Sequence, residues 1–205
     1  MKIGLMGGTF DPPHLGHVIP VHDTSVQFSL DRVLFIPAYI PPHKSRPDLT
    51  DPFHRCAMVA IALQDYPHFL LSPFELLQAG VSFTIETVKH FKSLLAATDD
   101  LFFLMGSDSF LEFHTWKDYE KLIHLCRFII ISRGINEREL KGNLQQLEKH
   151  LQLDLSEIFL FAAARELPIC STEIRSAISA GSSASPALSP EVEAYIVKHS
   201  LYQRR

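Results

Sequence analysis

At 205 residues, with 46% hydrophobic and 20% charged, the chain can bury a sizeable core, which excludes disorder over most of its length and favours a single domain. A formal charge of −4 and a pI near 6.2 speak against a general nucleic-acid binder, yet leave room for a small anion held by a few cations and backbone amides. Cys56, Cys126 and Cys170 are scattered and odd in number, with neither metal spacing nor a disulfide framework, as in a reducing compartment. The opening MKIGLMGGTF is too short in its apolar run for a signal peptide or a membrane span, so a cytoplasmic protein with no membrane partner is expected.

Strands alternate with helical stretches along the chain. Residues 2–6 form an apolar run ending in Gly7-Gly8, as a buried strand running into a tight turn would. A helix is predicted over 15–29, a strand over 32–37, and a helix over 51–64 with Asp51 as cap and Pro52 at its first position. A short strand at 69–72 precedes a helix at 82–95. Strands follow at 100–105 and 127–132, a polar helix at 137–153, and a strand at 158–161. Residues 171–180 and 190–199 close the chain as a small C-terminal helical portion spanning 171–205, joined by a flexible connector at 181–190. Continuous apolar strands separated by helices predict an α/β, doubly wound parallel sheet of Rossmann-like type over 1–205.

In such a sheet ligands sit beyond the carboxyl ends of the strands, and the loop 7–17 (GGTFDPPHLGH) occupies that place after the first strand. Gly7 and Gly8 permit close backbone approach to a phosphate, with the amides through Phe10 as donors and the Thr9 hydroxyl beside them. His14 and His17 are three apart, so a helix opening near His14 points both imidazoles at one spot, where its positive end favours an anion. The loop is neither a GxGxxG fingerprint nor a GxxxxGK[ST] P-loop. A metal site from Asp11, His14 and His17 lacks a convincing fourth ligand and leaves the glycines unexplained, so no metal ligation is expected.

The string GGTFDPPHLGH resembles the signature of the nucleotidyltransferase superfamily with an H-x-G-H motif, here His14-Leu15-Gly16-His17. Its second signature, S/T-x-x-x-R, is matched by Ser171-Thr172-Glu173-Ile174-Arg175. Read from the residues alone, that segment is a helix start capped by Ser171 or Thr172 with Arg175 one turn in, facing anions. Further segments resemble the bacterial nicotinate-nucleotide adenylyltransferase family: Pro41-Pro42-His43-Lys44, Gly80-Val81-Ser82-Phe83-Thr84, Gly106-Ser107-Asp108, Thr115-Trp116, Ile131-Ser132-Arg133, and the ending Tyr195-Ile196 to Leu201-Tyr202. Two departures stand out. Ala38-Tyr39-Ile40 stands where asparagine is common, and Gly134 where proline usually follows the arginine.

Each segment also has a chemical reading. Lys44 is a loop cation suited to phosphate. Asp108, after Gly106 at a strand end, can accept from ribose hydroxyls or cap a helix. Trp116 can stack on a pyridine ring or fill a core. The resemblance implies ATP and nicotinate mononucleotide as substrates and Mg²⁺ carried in with ATP. Catalysis then falls to His17, His14 and Arg175. It also implies ATP contacts from Gly7, Gly8, Thr9, Phe10, Gly106, Asp108, Ser171 and Thr172, and acceptor contacts from Lys44, Thr84, Trp116, Lys117 and Arg133. Rival readings are the same chemistry on nicotinamide mononucleotide or phosphopantetheine, and a non-catalytic nucleotide sensor. The oligomeric state is open to a homo-oligomer.

Overall fold

The structure is a computed structural model that describes residues 1–42, 49–132, 134, 136–165 and 167–203. Lys44 and Arg133 lie outside them. Six parallel strands form one sheet in the order β3-β2-β1-β4-β5-β6: β1 (Lys2–Gly8), β2 (Arg32–Pro37), β3 (Phe69–Leu71), β4 (Asp100–Gly106), β5 (Arg127–Ile131) and β6 (Phe159–Ala162). Each matches an expected apolar run within two residues. β1 is longer than predicted, because Gly7 and Gly8 still pair with Ile36 and Pro37 before the chain turns.

Successive strand residues point to opposite faces, and both faces are covered. Leu5, Phe103, Phe128 and Phe159 pack on one side with residues of α4 (Thr84–Leu94) and α7 (Glu137–Leu151). Met6, Phe35, Leu104 and Ile129 pack on the other with residues of α1 (Leu15–Gln27) and α2 (Pro52–Ala62). Asp51 caps α2 by accepting from Phe53 N at 2.8 Å, as its place before Pro52 predicts. The order runs outward from β1 one way and from β4 the other, so a crevice opens between their carboxyl ends.

Three short helices escape the periodicity reading: α3 (Phe74–Gln78), α5 (Ser107–Leu111) and α6 (Tyr119–Leu122). At four or five residues they are too brief to repeat a hydrophobic face.

The C-terminal α8 (Ser171–Ser179) and α9 (Pro190–Lys198) share a core with α2, built on Met58, Ile174, Val192 and Ile196. The stretch 181–190 is a correction to the flexible connector expected from its serines and prolines. Ala184 and Leu188 are buried in that core, and Ala187 O accepts from Leu15 N at 3.0 Å, tying it to the first residue of α1. Its apolar residues, not its serines, decide its packing. Among the described residues no helix is long and apolar enough to cross a membrane.

Candidate active site

A cleft of about 1050 Å³ lies at the β1/β4 crevice. Its floor is the end of β1 and β4, with Gly7, Gly8 and Gly106; Thr9, Phe10, His14 and His17 form one wall. The chain leaves β1 through Phe10, at φ +51, a left-handed turn that drives the ring into the core, 2% exposed. There it packs edge-on against His17 at a centroid distance of 5.2 Å. A Cβ on Gly8 would sit 2.8 Å from that ring, so this glycine is needed for Phe10 as much as for any ligand.

α1 begins at Leu15, with His14 as the extended residue before it. The His14 and His17 rings lie against one another at 3.8 Å between centroids, tilted by 35°. His14 N donates to His17 Nδ1 at 3.3 Å. With Nδ1 accepting, a neutral His17 carries its proton on Nε2, leaving that N–H as the donor. Gly16 makes the arrangement possible. A Cβ there would come within 3.0 Å of His14 Nδ1 and 3.2 Å of Ile169, so the glycine of the H-x-G-H spacing is a steric requirement of its own histidine.

The opposing wall comes from the far end of the chain. Ser171, Thr172 and Arg175 of α8 line the cleft. Arg175 Nη1 donates to Asp11 O at 2.7 Å and Nη2 to Thr172 Oγ1 at 3.1 Å, while Ser171 Oγ donates to Pro12 O at 3.1 Å. These contacts dock α8 onto the glycine-histidine loop. They also correct the expected cap, since the residue before α8 is Cys170 and neither hydroxyl caps the helix. Ser171 bonds the loop and Thr172 bonds Arg175 instead, because α8 already starts at Ser171.

Cys170 carries no motif, yet it lines the cleft. The N–H groups of Thr172 and Glu173 pull its thiol below the ordinary value, whereas burial pushes Cys126 up to about 12. Thiolates are the reactive form. Alkylation by iodoacetamide should therefore label Cys170 well ahead of Cys126, and ATP should slow it; equal labelling with and without ATP, read by mass spectrometry, contradicts a nucleotide next to α8.

Beneath the loop sits Arg55, fully buried. Its guanidinium donates to Thr9 O at 2.8 Å, Tyr39 O at 3.0 Å and Thr50 O at 2.9 Å. Burial lowers its pKa, and the nearby Asp11 carboxylate is the largest influence holding the charge in place. Asp11, 2% exposed, also accepts from the Tyr202 hydroxyl at 2.7 Å. Sequence reasoning passes over Arg55 because a lone arginine on an amphipathic helix ordinarily reads as its solvated face.

The other end of the cleft holds the remaining candidates. Asp108, exposed in the first turn of α5, does not cap that helix, whose preceding residue is Gly106. Trp116 is half-buried, with its indole against Phe103 (5.8 Å, edge-on) and Phe113 (5.4 Å) and the cleft on another side. The residue is pinned by core aromatics and also lines the cleft. Thr84 opens α4 with no side chain capping the helix; Glu86 N donates to Phe83 O at 3.0 Å, so the helix presents its open end at Thr84 and Ile85. Lys117 Nζ lies 4.4 Å over the Phe83 ring, and both residues line the cleft. Ala38, Pro41, Pro42 and Glu75 line the cleft too; Pro41 and Pro42 belong to the segment with His43 and Lys44, whereas no motif marks Glu75.

A cleft opened by the reversal of strand order and walled by backbone amides, imidazoles and a guanidinium makes the chain a nucleotide-binding α/β protein. Residues 5–177 match the cytidylyltransferase-like family. A probable nicotinate-nucleotide adenylyltransferase of Thermoanaerobacter sp. is 34% identical, over all of this chain and 95% of that one. Its counterpart in Solibacter usitatus is 36% identical, over 98% of this chain and all of that one. Among solved structures, Plasmodium falciparum nicotinic acid mononucleotide adenylyltransferase complexed with NaAD shares the fold at a TM-score of 0.78 and 22% identity, over 98% of this chain and 97% of that one. The chain belongs to the cytidylyltransferase-like family and, within it, to the family of the nicotinate-nucleotide adenylyltransferases.

Proposed function

We infer that the protein transfers the adenylyl group of ATP to nicotinate mononucleotide, giving deamido-NAD and pyrophosphate, a step of NAD biosynthesis. The observation that carries this reading is one cleft lined by the adjoining His14 and His17 and by Arg175 at one end and by Thr84 and Trp116 at the other. The acceptor phosphate oxygen attacks the α-phosphorus, and the bond from that phosphorus to the β-bridging oxygen breaks, releasing pyrophosphate. The acceptor is already an anion, so no side-chain nucleophile is needed, and catalysis is positioning plus charge stabilisation.

His17 Nε2–H is assigned to the α-phosphate, with His14 and the amides of Gly8 to Phe10 beside it. Arg175, Ser171 and Thr172 are assigned to the β- and γ-phosphates and the departing pyrophosphate. Gly106 and Asp108 take the adenosine ribose. Among the described residues no group of three or more His, Cys, Asp or Glu is arranged to hold a metal. Mg²⁺ is assigned to the triphosphate, with which it enters and whose charge it neutralises. The free thiols suit a reducing, cytoplasmic setting.

At the acceptor end the pyridine ring stacks on Trp116, and its carboxylate meets the first-turn amides at Thr84 together with the backbone at Lys117. Backbone N–H groups and the positive end of α4 favour an acceptor-only carboxylate over a carboxamide, which presents donors. Trp116→Ala should raise the KM for nicotinate mononucleotide by about tenfold and that for ATP far less, as expected for loss of one aromatic stacking partner. Equal rises assign the indole to packing alone. The reaction itself is tested by incubating the protein with Mg-ATP and nicotinate mononucleotide. Equimolar pyrophosphate and dinucleotide are expected, and ATP binding without pyrophosphate release would mark a sensor.

A further inference from the structure

The proposed chemistry leaves one buried carboxylate in the cleft unused. Glu75, in the first turn of α3, is only 8% exposed and lines the acceptor end beside Ser82 and Thr84. A carboxylate taken out of water is costly unless its oxygens are satisfied. Burial pushes its pKa up, and hydrogen bonds from Thr87 and Ser82 oppose that rise. The Thr87 contact is short: Oγ1 donates to Glu75 Oε1 at 2.6 Å, with both residues buried. Thr87 lies one turn into α4 from Thr84, on the same helix that offers its first-turn amides to the acceptor.

Ser82 extends the connection. Its Oγ accepts from Tyr39 N at 3.0 Å, and its own N donates to Ile40 O at 2.9 Å. Ile40 in turn forms an isolated parallel bridge with Val81. A single carboxylate thereby ties three separate pieces together: α3, the start of α4, and the segment after β2 that carries Tyr39 and Ile40. Outside the main sheet, the turn leading into α4 is held by these backbone and side-chain contacts together.

We propose that Glu75 is the positioning residue of the pyridine pocket: through Thr87 and Ser82 it sets the first turn of α4 at the place where its amides meet the pyridine carboxylate. The inference rests on the acceptor assigned above. It also bears on selectivity. The helix start that Glu75 places presents backbone donors, which meet an acceptor-only carboxylate better than a carboxamide that brings donors of its own.

The test compares wild type, Glu75→Ala, Glu75→Gln and Thr87→Val in steady-state assays with Mg-ATP and either the acid or the amide mononucleotide. Glu75→Ala should raise the KM for nicotinate mononucleotide by about tenfold or more, the worth of one hydrogen bond to a charged group, and lower the acid-to-amide preference. The KM for ATP should stay within about twofold of wild type, because the phosphate-binding loop lies at the other end of the cleft. Glu75→Gln keeps an acceptor for Thr87 and should recover most of the loss. Thr87→Val removes the same contact from the other side and should move the same constants, which keeps the inference testable where Glu75→Ala does not fold. Equal changes in both KM values, no change in either, or a Gln variant as impaired as Ala would each overturn the proposal. Wild-type protein that ignores the acid mononucleotide overturns the acceptor assignment and this inference together. Wild-type turnover with an unmoved Glu75→Ala overturns this inference alone.

Discussion

His17→Ala lowers kcat by about 10²–10³ with a small change in the KM for ATP, the loss expected when one donor aimed at developing phosphate charge is removed. The size follows from position. His17 is half-buried at the opening of α1, with Nδ1 engaged by His14 N and its ring held by Phe10 and His14, so the ring is fixed before substrate arrives. A donor already in place costs no reorganisation as charge builds, and it acts more on the transition state than on bound ATP. Single-turnover rates on the folded variant check the effect. Near-normal turnover removes His17 from the chemistry. A raised KM at unchanged kcat demotes it to ground-state binding.

Arg55→Met lowers stability by about 4 kcal/mol, which for a protein of this size is a fall in Tm of about 8–16 °C. Three carbonyls, those of Thr9, Tyr39 and Thr50, lose their donor at once, and the buried Asp11 carboxylate loses a charge it interacts with. Methionine retains most of the side-chain volume, so the loss reports hydrogen bonding and charge and not a cavity. Thr9 sits in the glycine-histidine loop, so activity should fall as well, at temperatures where the variant is still folded. Thermal unfolding followed by circular dichroism reads the first effect. A Tm within about 2 °C of wild type means that water or a neighbour replaces the guanidinium.

The strands are legible in the sequence because both faces of the sheet are covered, which turns each into an uninterrupted apolar run such as RFIII or DLFFLM. The loop is legible because its chemistry is contiguous: glycines, two histidines and a helix start lie within one short string. The pairing of His14–His17 with Arg175 depends on resemblance, since nothing local says that α8 returns to β1. Its contacts with Asp11 and Pro12 join residues from opposite ends of the chain. Glu75, Arg55 and Cys170 escape for a common physical reason. Each owes its character to burial or to partners that only the fold brings together, and a single carboxylate, guanidinium or thiol in a sequence carries no mark of either. The 181–190 stretch misleads in the other direction. Its serines and prolines signal a linker, yet Ala184 and Leu188 anchor it in the core shared with α8 and α9.

The acceptor is where the central claim is most exposed, and one comparison reaches it directly: kcat/KM for nicotinate mononucleotide against nicotinamide mononucleotide at saturating Mg-ATP, followed by pyrophosphate release. A pocket whose amides and helix end meet a carboxylate should favour the acid by about 10² or more, because a carboxamide leaves those donors unpaired and adds its own. Equal efficiency with the two, or a preference for the amide, contradicts the roles assigned to Thr84 and Trp116.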